Sequence, residues 1–401
     1  MAFRILFILW VASLGTDRID LLGGNGPAAL LPFYALTAML VAVLWGPRLL
    51  RRNWPSLPPE LKGFGAWILA LLTLLCLSLV RSQDVALSAG RLAIFAGTTL
   101  GVTAVVVGAR DRPDLGALVS SGARVGLAWA LLCNIATMLA LLSVLPRELE
   151  LGPALLSLEP TMYGQLPRLS GQTLDMNRGA MLALTYGGLL AILAPRTLGR
   201  QLWIALAAAL VLGSLSRSAW LASLPVLAFA WRQRSPRTDR MARLAATALL
   251  LVIATTAGLL LDQRLRETTA RTLAPLAERF DLQEASAQTH AQLFTRGFEA
   301  STRDLPRALL GAGWGMSHRE LADVFGGDEH GNYHSAWLAL WAEAGFLALL
   351  TGMAATLLPL RRRSRYAGLI IGLFVYNIVY IGFSDHLFWL TTGLAWSEAA
   401  A

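Results

Sequence analysis

The sequence predicts an all-α polytopic membrane protein, with about twelve transmembrane helices and one large outer loop containing amphipathic helices. Three observations predict it: the composition, the spacing of the apolar runs and the placement of the arginines. Of 401 residues, 55% are hydrophobic and 15% charged. A soluble domain of that length needs far more polar surface.

Runs of roughly 17–25 apolar residues can cross a bilayer as helices. Candidates stand at about 3–15, 28–46, 64–80, 85–108, 116–145, 179–194, 202–215, 218–231, 244–261, 334–358, 367–384 and 387–399. Cys76 and Cys133 fall inside such runs, so they are small hydrophobes rather than a disulfide framework. Trp45, Trp54, Trp220, Trp231, Trp314 and Trp337 read mostly as interfacial belt residues.

The formal charge is +9, and Lys62 is the only lysine. No basic stretch alternates with aromatics in a soluble module, so nucleic acid is not an expected partner. With a cytoplasmic N-terminus, the loops on that side hold Arg48, Arg51 and Arg52, then Arg110 and Arg112, then Arg196 and Arg200. Arg232 to Arg243 and Arg361 to Arg365 complete the set. Each short loop on that side is basic, as positive-inside topology requires, and an even span count leaves both termini cytoplasmic. Residues 1–401 read as one integral membrane domain of the bacterial inner membrane.

On the opposite, periplasmic side two segments exceed a short connection, 146–178 and 262–333. In the second, Leu265, Thr269, Leu273, Leu276 and Phe280 fall at helix-like spacing, which predicts amphipathic helices at the membrane surface. A long structured loop in a compact protein is usually functional.

The densest group of chemistry-bearing residues follows. TRGFEASTRDLPRALLGAGWGMS precedes HGNYHSAWLALWAEAGFLALL, and earlier segments read RLSGQTLDMNRGAM and LGSLSRSAW. His330 and His334 are four apart, but Gly331 and Asn332 disfavour a continuous helix between them, so no metal site is expected. The glycines from Gly311 to Gly315 have no strand–helix unit or Lys-Ser/Thr after them, and predict a sharp turn beneath the His334 helix rather than a nucleotide loop. Glu343 lies half a turn out of phase with His334, either as a buried partner for an arginine or in a direct role.

In order, these segments resemble the O-antigen ligase and polymerase superfamily of membrane glycosyltransferases, over roughly 165–350. The matching elements are Arg168, Gly171 and Asn177, the Ser-Arg turn at Arg217, Arg296, a helix ending at Pro306, Gly311-Ala312-Gly313, His334 and Glu343-Ala344-Gly345. His334-Ser335 departs slightly from the family's frequent His-Asn.

The resemblance implies transfer of a preassembled glycan from undecaprenyl diphosphate to a sugar hydroxyl of lipid A–core, inverting, without cofactor or metal. A repeat-unit polymerase of the same family is the alternative. Arg217 and Arg296 would hold the diphosphate, since guanidinium is permanently charged and forks onto two oxygens. His334 would serve as base or orienter for the acceptor hydroxyl. Arg168, Asn177 and His330 are expected to bind substrate. Arg91 and Arg124, inside spans, either snorkel or guide a lipid phosphate. A lipid-linked glycan transporter is the reading from another class, but its paired repeats and midplane polar residues are not evident. Membrane lipids are expected partners; the oligomeric state is open, with a monomer expected.

Overall fold

In a computed structural model, the described residues are 1–22, 31–51, 56–163, 166–232, 285–322 and 331–400. The helices begin with α1 (Ala2–Ser13), α2 (Pro32–Leu50), α3 (Pro59–Ser78), α4 (Val85–Ala109) and α5 (Leu115–Leu141). They continue with α6 (Met176–Leu193), α7 (Leu198–Gly213), α8 (Arg217–Arg232), α9 (Ala285–Thr302) and α10 (Leu305–Leu310). The last are α11 (Ser317–Glu320), α12 (Ala336–Ala344), α13 (Phe346–Leu357), α14 (Ala367–Val379) and α15 (His386–Ala399). Among the described residues four helices, α2 to α5, are long and apolar enough to cross a membrane, and α1, α7 and α14 are shorter apolar helices. The expected span at 244–261 and the amphipathic stretch from Leu265 to Phe280 lie outside the described residues.

Local sequence sets many helix starts. The side chains of Asp84, Asp175, Thr197, Asp304, Ser335 and Asp385 each accept from a backbone amide of the first turn. Caps of this kind contribute about 1 kcal/mol each.

Contacts sort the loops into two ends. At one, Arg4 pairs with Asp114 at 2.9 Å, Arg362 with Glu60 at 2.7 Å, and Arg110 donates to the Ser56 carbonyl at 2.9 Å. Arg110 and Arg362, which the sequence groups on one side, therefore share an end, whereas Arg52 and the arginines from 234 to 243 lie outside the described residues. At the other, the Leu169 amide donates to the Gly213 carbonyl, Trp314 to the Ser78 hydroxyl and Ala336 to the Tyr380 carbonyl.

The all-α expectation needs amendment at 146–178. Strands β1 (Ile19–Asp20), β2 (Glu148–Leu151) and β3 (Ala154–Ser157) form an antiparallel sheet in the order β1-β3-β2, with Leu149 opposite Leu156. A hairpin of β4 (Thr161–Tyr163) and β5 (Leu166–Arg168) follows. The Glu-Leu-Glu-Leu alternation of β2 has the period of two that a half-covered strand requires. Arg18, 1% exposed, fastens this layer to the bundle by donating to the Gly171 and Ser157 carbonyls at 2.9 Å and to the Ser170 hydroxyl at 2.6 Å.

The expected span 334–358 is two helices. Gly345 separates α12 from α13 with φ of +90°, and a Cβ there would stand 2.0 Å from the Leu309 carbonyl oxygen of α10. The break lets α10 cross close to the bundle. Trp337 is core rather than belt: it is buried, its ring lies 4.9 Å from Phe374 and 5.3 Å from Phe383, and it donates to the Phe374 carbonyl.

Gly345→Ala adds strain at positive φ and a clash with backbone that cannot swing aside, so it should destabilise by at least about 2 kcal/mol. Thermal unfolding of the purified protein in detergent checks this; an unchanged midpoint would show that the chain relaxes around the break.

Candidate functional site

His334 stands just ahead of α12, at φ of +50°. Asn332 accepts the His334 amide at 2.9 Å through Oδ1, and the Ser335 hydroxyl caps α12 by accepting from Leu338. The conformation is uncommon for a residue with a Cβ. Its ring centroid lies 4.4 Å from that of His290 and 5.8 Å from that of Tyr380. Its Nδ1 is buried and has no hydrogen-bond partner among the described residues. Burial pushes the imidazole below its ordinary histidine value, against the opposing pull of the Asp175 charge.

The glycine turn is held beneath this helix. Glu343, buried near the end of α12, accepts from the Gly315 amide at 2.9 Å and the Ser317 amide at 3.0 Å. The Ala312 and Gly313 amides donate to the carbonyls of Ala342 and Glu343. Gly311, Gly313 and Gly315 all have positive φ. At Gly311 a Cβ would lie 2.2 Å from the Glu343 backbone, so a side chain is excluded by contact as well as conformation. The expected turn is therefore present. Glu343 spends its carboxylate on backbone amides rather than on a direct arginine contact. Arg91, from α4, donates to the Gly315 carbonyl and lies 3.2 Å from His318 Nδ1. It braces the turn, which is a different place from the bilayer-facing one that snorkelling required.

Arg217 opens α8 after a tight turn in which Leu215 takes φ of +55°. Arg168 is 4% exposed, and its Nε donates to the Ser214 carbonyl at 2.7 Å, so β5 supports the Arg217 turn from below. α8 packs antiparallel along α14: Gly368 meets Phe229, and Gly372 meets Ala222 and Val226. Tyr376 and Tyr380 consequently lie toward the Arg217 end of α8, which links that turn to His334 through Tyr380.

Asn177 sits in the first turn of α6, behind Asp175. Asp175 accepts from the amides of Asn177 and Arg178 at 2.7 and 3.1 Å with one oxygen, and from the Tyr380 hydroxyl with the other. Arg178 spans Asp17 at 2.8 Å and Asp385 at 2.9 Å, which ties three outer loops together.

The helix carrying Arg296 meets His334 through another residue. Leu293, Gly297, Ala300 and Ser301 of α9 are packed, with Gly297 against Tyr333 and Leu338. His290 continues that face and supplies the ring beside His334. Arg296 is exposed, six residues or roughly 9 Å of helix rise beyond His290. α9 ends at Thr302, and Pro306 lies in the first turn of α10 under the Asp304 cap, rather than ending the amphipathic helix as expected. Arg124 is not at this end at all. It lines a cleft with Pro195 and Arg365 at the arginine-rich end. His330 lies outside the described residues.

Three members of the site, His290, Asp175 and Tyr380, escaped the sequence reading. His290 had a usable signal, since residues 290, 293, 297 and 301 fall on one helical stripe. Asp175 and Tyr380 are joined across 205 residues, and nothing local marks that pairing.

A helical membrane-protein bundle with a histidine and arginines gathered at one end is a recognisable class of site. Residues 202–352, less than half of the chain, match the family described as O-antigen ligase. No curated protein matches the chain. The matched segment runs from α7 through the Arg217 turn, Gly311–Gly315 and His334 into α13, whereas Arg168, Asp175 and Tyr380 lie beyond it. That match supports a ligase- or polymerase-type role in O-antigen or polysaccharide synthesis.

Asp175→Ala removes a helix cap and the Tyr380 acceptor together, and should cost about 2 kcal/mol in thermal unfolding. Asp175→Asn keeps an acceptor and should recover at least half of that. Equal losses in both variants would mean that charge, not hydrogen bonding, dominates here.

Proposed function

We propose that the chain is an O-antigen ligase of the inner membrane, moving a preassembled glycan from undecaprenyl diphosphate to a sugar hydroxyl of lipid A–core at its His334 end. The supporting observation is the buried, unpartnered Nδ1 of His334. A buried polar atom without a protein partner calls for one from elsewhere, and an acceptor hydroxyl fits.

In this reading the His334 end faces the periplasm, and the arginine-rich end and both termini face the cytoplasm, in line with positive-inside topology. The acceptor oxygen attacks the anomeric carbon while the carbon–oxygen bond to the diphosphate breaks, giving inversion. The hydroxyl proton passes to His334, held neutral by burial. Undecaprenyl diphosphate leaves with the electron pair, and Arg217 and Arg296 stabilise its charge, the task a divalent ion performs in other transferases. Arg168 acts by holding the Arg217 turn, and Asn177 and Asp175 by holding Tyr380 against His334. His290 forms the wall of the acceptor pocket on the α9 side.

The test mixes purified protein with lipid-linked glycan and lipid A–core, without divalent metal. Glycan on lipid A–core is the expected product; lengthened lipid-linked glycan would instead make the chain a repeat-unit polymerase. His334→Ala, inserted normally, should lower the rate about 10²–10⁴-fold, the range for a lost general base. Wild-type activity there removes His334 from the chemistry.

The pH profile follows from the sign of the shift. A base must be unprotonated, and protonation sets in only as pH falls through the lowered value. The rate should therefore hold steady down past about 6.5, the ordinary histidine value, before falling. An acid limb above that value contradicts a buried neutral base.

A further inference from the structure

The arginine-rich end contains a cleft of about 470 Å³ bordered by Gly116, Ser120, Ser121, Arg124, Pro195 and Arg365. That volume is within the range of about 300–1,000 Å³ typical of ligand sites. We propose that this cleft binds the phosphate of an anionic phospholipid headgroup, with Arg124 as its principal cation.

Four observations lead there. The Nε of Arg124 is buried and without a hydrogen-bond partner among the described residues, so one guanidinium donor is desolvated yet unused there. An isolated buried donor of this kind is costly, and an anion relieves it. Arg365 supplies a second guanidinium and is anchored rather than mobile, at 2.8 Å from Glu398 and with Tyr366 stacked 5.3 Å away. Among the described residues no acidic side chain lines the cleft.

The start of α5 adds to this. Gly116 and Ala117 belong to its first turn, and its Asp114 N-cap makes no side-chain hydrogen bond to it, being paired with Arg4 and Arg112 instead. First-turn amides left uncapped favour negative charge.

The lipid source, rather than free phosphate, is indicated by what adjoins the cleft. A narrow crevice lined by Ile192, Val226, Phe229 and Leu369 meets it at Arg365. With room for only about 30 Å³ it does not admit an acyl chain, but it marks an apolar edge beside the cleft along which one would lie. Basic pockets between membrane helices at the cytoplasmic face bind anionic headgroups in this way.

The experiment uses the full chain in zwitterionic detergent and follows thermal unfolding as phosphatidylglycerol, phosphatidylcholine or inorganic phosphate is added. Phosphatidylglycerol should raise the midpoint, phosphatidylcholine should not, and phosphate should do little. Arg124→Gln should weaken phosphatidylglycerol binding roughly tenfold, as loss of a charge-assisted contact implies. Gly116→Asp guards against a folding failure. A Cβ there meets only Leu193 at 3.6 Å, so the substitution fits while placing a carboxylate in the cleft, and it too should abolish the shift. An equal midpoint rise in wild type and both variants overturns the site. A phosphate response matching that of phosphatidylglycerol overturns the lipid assignment in favour of a small anion, and no response to any additive overturns both.

Discussion

The grip of Glu343 on the amides of Gly315 and Ser317 is the constraint on which this end of the molecule depends. A buried carboxylate is tolerated only when its oxygens are satisfied, and here each oxygen takes one amide. Hydrogen bonds to a charged group contribute about 1.5–3 kcal/mol each, enough to hold a glycine-rich turn that has little stability of its own. Arg91 completes the clamp from α4 through the Gly315 carbonyl.

A second network works independently of the first. Arg178 joins Asp17 and Asp385, Asp175 takes the Tyr380 hydroxyl, and Arg18 secures the small sheet. These contacts draw together loops that follow α1, α5, α14 and the β hairpin. The glycine clamp fixes the floor of the site, and the Asp175–Tyr380 pair fixes its wall. The clamp holds the C-terminal end of α12, and His334 stands at its start, its left-handed backbone held on one side by Asn332 and on the other by the α12 cap.

Much of the fold was legible because apolar length is a strong signal: 32–50, 59–78 and 85–109 lie within a few residues of their expected bounds. The interruption at Gly345 was hidden because the residues around it are uniformly apolar, and only the approach of α10 demands it. Arg217 in its Ser-Arg turn and His334 ahead of a helix stood out in the sequence by a distinctive local setting. Arg91 and Arg168 were identified as arginines of interest, but their roles as struts depend on the Gly315 and Ser214 carbonyls, distant in sequence. Arg124 was misplaced because hydropathy gives the depth of a residue in a span and not the ligand-bearing surface it faces.

The break at Gly345 has a consequence for the bilayer itself. Nine residues of α12 rise only about 13 Å, less than half of a hydrocarbon layer of roughly 30 Å. Glu343 and the glycine turn bound to it therefore stand partway along the path that one uninterrupted spanning helix would take. Non-helical backbone at that depth is stable only where protein shields it from lipid. Here α9, α10, α13 and α14 pack against α12 and supply that shield.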